Sequence, residues 1–150
     1  MFPKVHILIG AIISILLYII FPITSVQTLT IFLASFLIDI DHYLFYIFIK
    51  RDISLKRAIN YFYSHRVKWL KLSKEEKRKF KRFTFIFHNI EFWLILLILA
   101  QFYTIFYFIL LGFAIHISLD YIEIIYMKEA FYPKVSIIYT YLKNKSKIKF

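Results

Sequence analysis

Four apolar stretches, at about residues 5–21, 29–49, 83–100 and 104–127, leave this chain few folds to choose from. A hydrocarbon core about 30 Å thick is crossed by roughly 20 mostly apolar residues in a helix, and only helices and closed barrels satisfy every backbone group there. The joints at 22–28 and 101–103 are short, which predicts antiparallel hairpins of helices. The first stretch has no small-residue cleavage site and runs through Pro22 into the second, so it reads as a retained helix and not as a signal peptide. Hydrophobic residues make up 61% of the 150, against roughly 45–50% in an ordinary globular chain, and this excludes disordered and low-complexity classes. Without Cys the chain has no thiolate metal site and no cysteine nucleophile.

Charge placement orients the scheme. Of the 20 Lys and Arg, one lies at position 4, thirteen lie within 50–82 and six follow position 127, so the other two joints hold none. In a soluble protein a net charge of +11 would point to nucleic acid. In a chain this apolar it reports orientation: basic residues gather on the cytoplasmic side. The expectation is an all-α polytopic protein of the cell membrane, a single domain over 1–150 built as a four-helix transmembrane bundle. Both termini are then cytoplasmic, with a basic amphipathic cytoplasmic loop (50–82) between the second and third helices and a basic cytoplasmic tail (128–150). Within the loop, Ser73 and Glu76 have the spacing of a capping box. The helix they start is expected to run through 77–82 into the third span. Residues 53–72 mix Lys and Arg with Tyr61, Phe62, Tyr63 and Trp69, a composition suited to a helix lying on lipid headgroups.

Ionisable groups inside a span cost a few kcal/mol each, about 2.5–3.5 for a central Asp, and are therefore functional hypotheses. His6 opens the first span; Asp39, Asp41 and His42 lie in the second; His88 and Glu91 in the third; His116, Asp120 and Glu123 in the fourth. Only His65, of five His, lies outside a span. At 1.5 Å per residue these groups fall in one band of the cytoplasmic half, with His42, His88 and Asp120 roughly 9–12 Å from the nearest basic flank. Asp39 with His42, His88 with Glu91, and His116 with Asp120 are three or four residues apart and so share helix faces. Asp39 and His42 read as co-ligands of a metal. Asp41 reads as a group orienting a ligand imidazole through its other ring nitrogen, or as a base. A lone intramembrane His is usually an interhelical hydrogen-bond partner; a set on four helices at one depth points to a metal centre.

At these positions the chain resembles the membrane-bound metal-dependent hydrolases of the YdjM-like inner-membrane kind, which are similar in turn to the zinc-dependent phospholipase C and single-strand nuclease superfamily. The matching positions are His6, then Asp39, Asp41 and His42, then His88, then His116 and Asp120, in that order along most of the chain. Where many members carry His-Arg-Gly closely followed by Thr-His-Ser, this chain has Ser64-His65-Arg66 and, more than twenty residues later, Phe87-His88-Asn89. The resemblance implies a hydrolase with His6, Asp39, His42, His88, His116 and Asp120 as metal ligands.

Imidazole and carboxylate ligands suit zinc, manganese or iron better than calcium or magnesium, and the number of candidates allows one or two ions. The expected activity is hydrolysis of a phosphoester or ester by metal-activated water, with Asp41 or Glu91 accepting the proton. The depth favours an anionic lipid or lipid-linked substrate, its headgroup held by the surrounding Lys and Arg. The rival class is a metal-binding membrane protein or ion transporter without catalysis. Transport needs a polar route through both halves of the membrane, and the outer segments 11–21, 29–38 and 92–115 contain no acid, base or His.

Overall fold

The computed structural model describes residues 3–148, and these form an all-helical chain. Its helices are α1 (Pro3–Ile20), α2 (Ser25–Leu37), α3 (Ile40–Lys50), α4 (Leu55–Lys71), α5 (Lys74–Lys79), α6 (Ile90–Ala100), α7 (Ile105–Tyr126) and α8 (Ile137–Asn144), with 3-10 turns at Ile86–His88 and Tyr132–Lys134. Among the described residues, two helical stretches, Ser25–Lys50 and Ile105–Tyr126, are long and apolar enough to cross a membrane. α1 is apolar but shorter, and α6 has 11 residues, or about 16 Å.

α2 is the hub. α1 and α7 lie along it and α6 packs on α7, around a buried cluster of Ala34, Ile38, Leu96, Ala100, Leu110, Phe113 and Ile117. Backbones of two helices approach closely only where the residues between them are small. Both glycines of the chain serve that purpose. A Cβ on Gly112 would lie 2.5 Å from the Ile31 carbonyl oxygen, and one on Gly10 would lie 2.0 Å from Ser35 Oγ. The helices therefore meet α2 at Ala34 and Ser35, where no larger residue fits.

The second apolar stretch is broken. The amide of Asp39 bonds the Phe36 carbonyl and that of His42 bonds the Asp39 carbonyl, both three residues back, so the helix tightens to 3-10 geometry between α2 and α3. Residues two apart stand about 160° apart around an α-helix but about 120° apart in a 3-10 turn. Asp41 is thereby swung nearer the side that Asp39 faces.

The third span departs most from expectation. Ser73 and Glu76 do form the capping box, but α5 ends at Lys79 and does not continue into the span. The following backbone is taken by the end of the chain: Phe80 pairs with Ile148, and Asn144 both donates to the Arg82 carbonyl and accepts from its amide. Helix resumes only at Ile90, whose amide bonds the Val135 carbonyl. The stretch read as a tail thus folds back as the Tyr132–Lys134 turn and α8.

α4 is joined to the bundle by Arg66, whose two bonds to Glu123 reach α7. Asp52 receives Arg57 and the Tyr46 hydroxyl. Lys77 and Arg82 converge on Glu129, and the Arg82 guanidinium lies 4.0 Å above the Trp69 ring. Elsewhere the outward faces are apolar, with Ile15, Ile19, Leu94, Ile98, Leu111 and Ile122 exposed.

Candidate metal centre

The two glycine contacts decide where the histidines go. His6 lies one turn before Gly10 and His116 one turn after Gly112, each on the face that approaches α2. Seated there, the rings of His6 and His116 stack with centroids 3.8 Å apart. His116 Nδ1 donates to the Ser35 carbonyl at 2.9 Å. Because a carbonyl can only accept, Nδ1 carries the proton and Nε2 of the neutral ring presents a lone pair.

His88 is set by its loop. Asn89 donates to the Phe85 carbonyl and the Trp93 indole to the Phe87 carbonyl, while the Phe87 amide donates to Asp41 Oδ2. The same carboxylate oxygen lies 3.1 Å from His88 Nδ1, which makes Nδ1 the donor and turns Nε2 inward.

Three imidazole nitrogens, Nε2 of His6, His88 and His116, are therefore buried without a hydrogen-bond partner among the described residues. They face two carboxylates. Asp39 Oδ1 lies 3.4 Å from His88 Nε2 and 3.5 Å from His116 Nε2. Asp120 Oδ2 lies 3.3 Å from His116 Nε2 and 3.7 Å from His88 Nε2, and Oδ1 lies 3.6 Å from His6 Nε2. Most of these separations are too long for good hydrogen bonds. They fit ligands around an ion: at a metal–nitrogen distance of about 2.0–2.1 Å, the edges of a tetrahedron are roughly 3.4 Å. Three overlapping triads have ligand atoms within 4.8 Å of one another: His6, Asp39 and His116; Asp39, His42 and His88; His88, His116 and Asp120.

The remaining candidates separate into two kinds. His42 stacks on Phe85 at 3.5 Å and brings Nδ1 to 2.9 Å from Asp41 Oδ1 and 3.3 Å from Asp39 Oδ1. Asp41 is 6% exposed and already accepts from His42, His88 and the Phe87 amide, so its oxygens face imidazoles and backbone and not the space between the ligands. Glu91, expected as a base on the same helix face as His88, is elsewhere. It accepts from Ser136 Oγ and from the amides of Ile137 and Ile138, where it holds the start of α8. The reason is the non-helical run through His88, which removes the shared face that the three-residue spacing assumed.

Lys134 enters unannounced. Its ammonium, carried on the turn after α7, bonds Asp120 Oδ2, the oxygen nearest His116 Nε2. His65 remains outside the cluster, packed 4.7 Å from Phe83, where burial and then the nearby Lys68 hold its pKa below the usual histidine range. One sequence signal for the geometry existed: both glycines of the chain stand four residues from a histidine.

Comparison with protein families, with curated proteins and with solved structures finds no match for the chain.

Proposed function

We propose that the protein is a membrane-embedded hydrolase that uses a divalent transition metal, zinc first among the candidates, on a phosphoester or ester of a lipid or lipid-linked substrate near the cytoplasmic leaflet. One observation carries the reading: three buried, unpartnered imidazole nitrogens facing the carboxylates of Asp39 and Asp120 at 3.3–3.7 Å. Charge supports it. Three carboxylates, Asp39, Asp41 and Asp120, gather around these imidazoles, the kind of negative cluster that a divalent cation offsets. The order of motifs by which the chain resembles YdjM-like hydrolases agrees with it.

An ion would be held by His88, His116 and Asp120 or by His6, Asp39 and His116, and a second by Asp39, His42 and His88. Bound there, it would supply Lewis acidity toward water and the reacting ester. The chain's own residues do the rest. Asp41 fixes the His88 ring and its tautomer, and Ser35 does the same for His116. Asp39, the most exposed carboxylate of the cluster at 28%, is placed to take a proton from an entering water. The apolar faces of α1, α6 and α7 keep bulk water from the other sides.

Elemental analysis of protein purified without chelator tests the centre, and a screen of the loaded protein against phospholipids and phosphodiesters tests the chemistry. His116→Ala and Asp120→Asn are expected to lose metal and turnover together. Stoichiometric metal with no hydrolysis, accompanied by metal flux into sealed vesicles, would replace the hydrolase with a carrier.

A further inference from the structure

We propose that Lys134 makes the centre a paired site, in which a phosphate or phosphoester anion binds only after the metal has taken Asp120 from the lysine. The inference deepens the metal-centre reading and rests on it. In the described chain, the Lys134 ammonium bonds Asp120 Oδ2, and that oxygen lies 3.3 Å from the unpartnered Nε2 of His116 and 3.7 Å from that of His88. An ion held by those nitrogens claims the same oxygen. Lys134 then loses its counter-charge while its side chain stays mostly enclosed, at 22% exposure, beside an Asp120 at 2%. A largely desolvated ammonium without a partner is costly. An anion arriving beside the ion supplies the missing charge to Lys134 and the ion alike.

The lysine is held in place by its backbone and not by its charge. The Lys134 carbonyl accepts from Tyr121 Oη at 3.1 Å, the turn donates through the amide of Lys134 to Phe131, and the Tyr132 carbonyl accepts from Thr140 Oγ1. Downstream, Glu91 grips the first residues of α8. Nζ is thus presented to the centre by a segment docked on α6 and α7, and changing the side-chain tip leaves these anchors intact. A compact ammonium with three donors suits a phosphate oxygen as a point charge. Free phosphate and a lipid phosphate share that chemistry.

Cation and anion should therefore bind with positive, reciprocal coupling. The test measures the Zn2+ affinity of the full-length protein in neutral phosphatidylcholine nanodiscs by chelator competition, without and with inorganic phosphate, and in nanodiscs containing phosphatidic acid. Lys134→Met and Lys134→Arg are run in parallel. In the unmodified protein, phosphate or phosphatidic acid is expected to tighten Zn2+ about tenfold or more, the scale of one charge-assisted hydrogen bond. Lys134→Met should bind Zn2+ at least as tightly without anion, because a competitor for Asp120 is gone, and should lose the coupling. Lys134→Arg should keep most of it. Coupling only in the phosphatidic acid nanodiscs would assign the anion to a lipid headgroup, and coupling with inorganic phosphate would assign a soluble phosphate. Equal coupling in Lys134→Met, or none in the unmodified protein, overturns the inference while the metal centre stands. Absence of Zn2+, Mn2+ and Fe2+ binding altogether removes both.

Discussion

The imidazoles of His6 and His116 lie face to face, their centroids 3.8 Å apart and their planes 14° from parallel. They come from α1 and α7, far apart in the chain, and each is seated by a glycine one turn away pressed against α2. The Nε2 atom of His6 faces Asp120 and that of His116 faces both Asp39 and Asp120, so the stack forms one side of the cluster.

That dependence on glycine is measurable. Gly112→Ala would drive a methyl into the Ile31 backbone carbonyl, which cannot swing aside, and is expected to cost about 1–3 kcal/mol of stability. Displacing His116, it should weaken metal binding as well. Gly10→Ala meets a side-chain oxygen instead, so pairing it with Ser35→Gly should recover most of the loss; the Gly112 variant should not be recovered this way. Thermal unfolding and chelator competition on the two single variants, each with and without Ser35→Gly, check the difference. Equal rescue in both would show that packing against α2 does not set the rings.

Asp41 and Glu91 should separate cleanly under substitution. Asp41→Asn leaves His88 without its ionised acceptor and is expected to lower metal affinity roughly 10–100-fold. Glu91→Gln should leave metal affinity nearly intact and loosen the start of α8, at about 1.5–3 kcal/mol for the charged hydrogen bonds it weakens. Hydrogen exchange of the amides of Ile137 and Ile138 reads the second effect directly. Protection unchanged there would contradict the anchoring role.

The centre's helices were partly legible in the residues, and the misreadings have one cause. His116 and Asp120 could be paired from spacing alone because α7 is an unbroken helix over both. The depth expected for His88 counts a helical rise from Arg82, whereas the chain there is extended and then a 3-10 turn. Glu91 failed for the same reason. Lys134 was hidden among the basic residues of a presumed tail; the Pro133 turn and the Ser136 cap of α8 were the local marks of a folded segment. Apolar periodicity reports how a segment meets lipid. It is silent on which distant backbone will pair with the extended residues after α5.

Acid should destabilise the protein in two steps. Burial and Lys68 hold His65 below its ordinary pKa, so the unfolded chain takes up the proton first and stability falls as pH drops below about 6.5. Arg57, followed by the Tyr46 hydroxyl, holds Asp52 well below the carboxylate range. Burial opposes the ionised form of Glu129, yet the bonds from Lys77 and Arg82 outweigh it and lower that group too. The stability that Asp52 and Glu129 confer is present above their unfolded values near 4 and lost as pH falls further. Melting of chelator-treated protein from pH 8 to 3.5 is expected to show both steps, and His65→Gln should flatten the first alone. A first step unchanged in His65→Gln would assign it to another group.

The charge asymmetry predicts a topology. Reporter fusions after Gln27 and Gln101 are expected to report the outer side and fusions within 50–82 the cytoplasm. A cytoplasmic signal after Gln101 would mean that the short α6 turns back within the membrane without crossing it.

The docked segment from Tyr132 to α8 also decides what a truncation would cost. A cut after Met127 would remove Lys134 and Ser136 together, and with them the bonds that this segment gives to Asp120 and Glu91. The backbone at Arg82 would lose Asn144 in the same stroke. What reads as a basic appendage is a structural member, and shortening it would reach helices far from the cut.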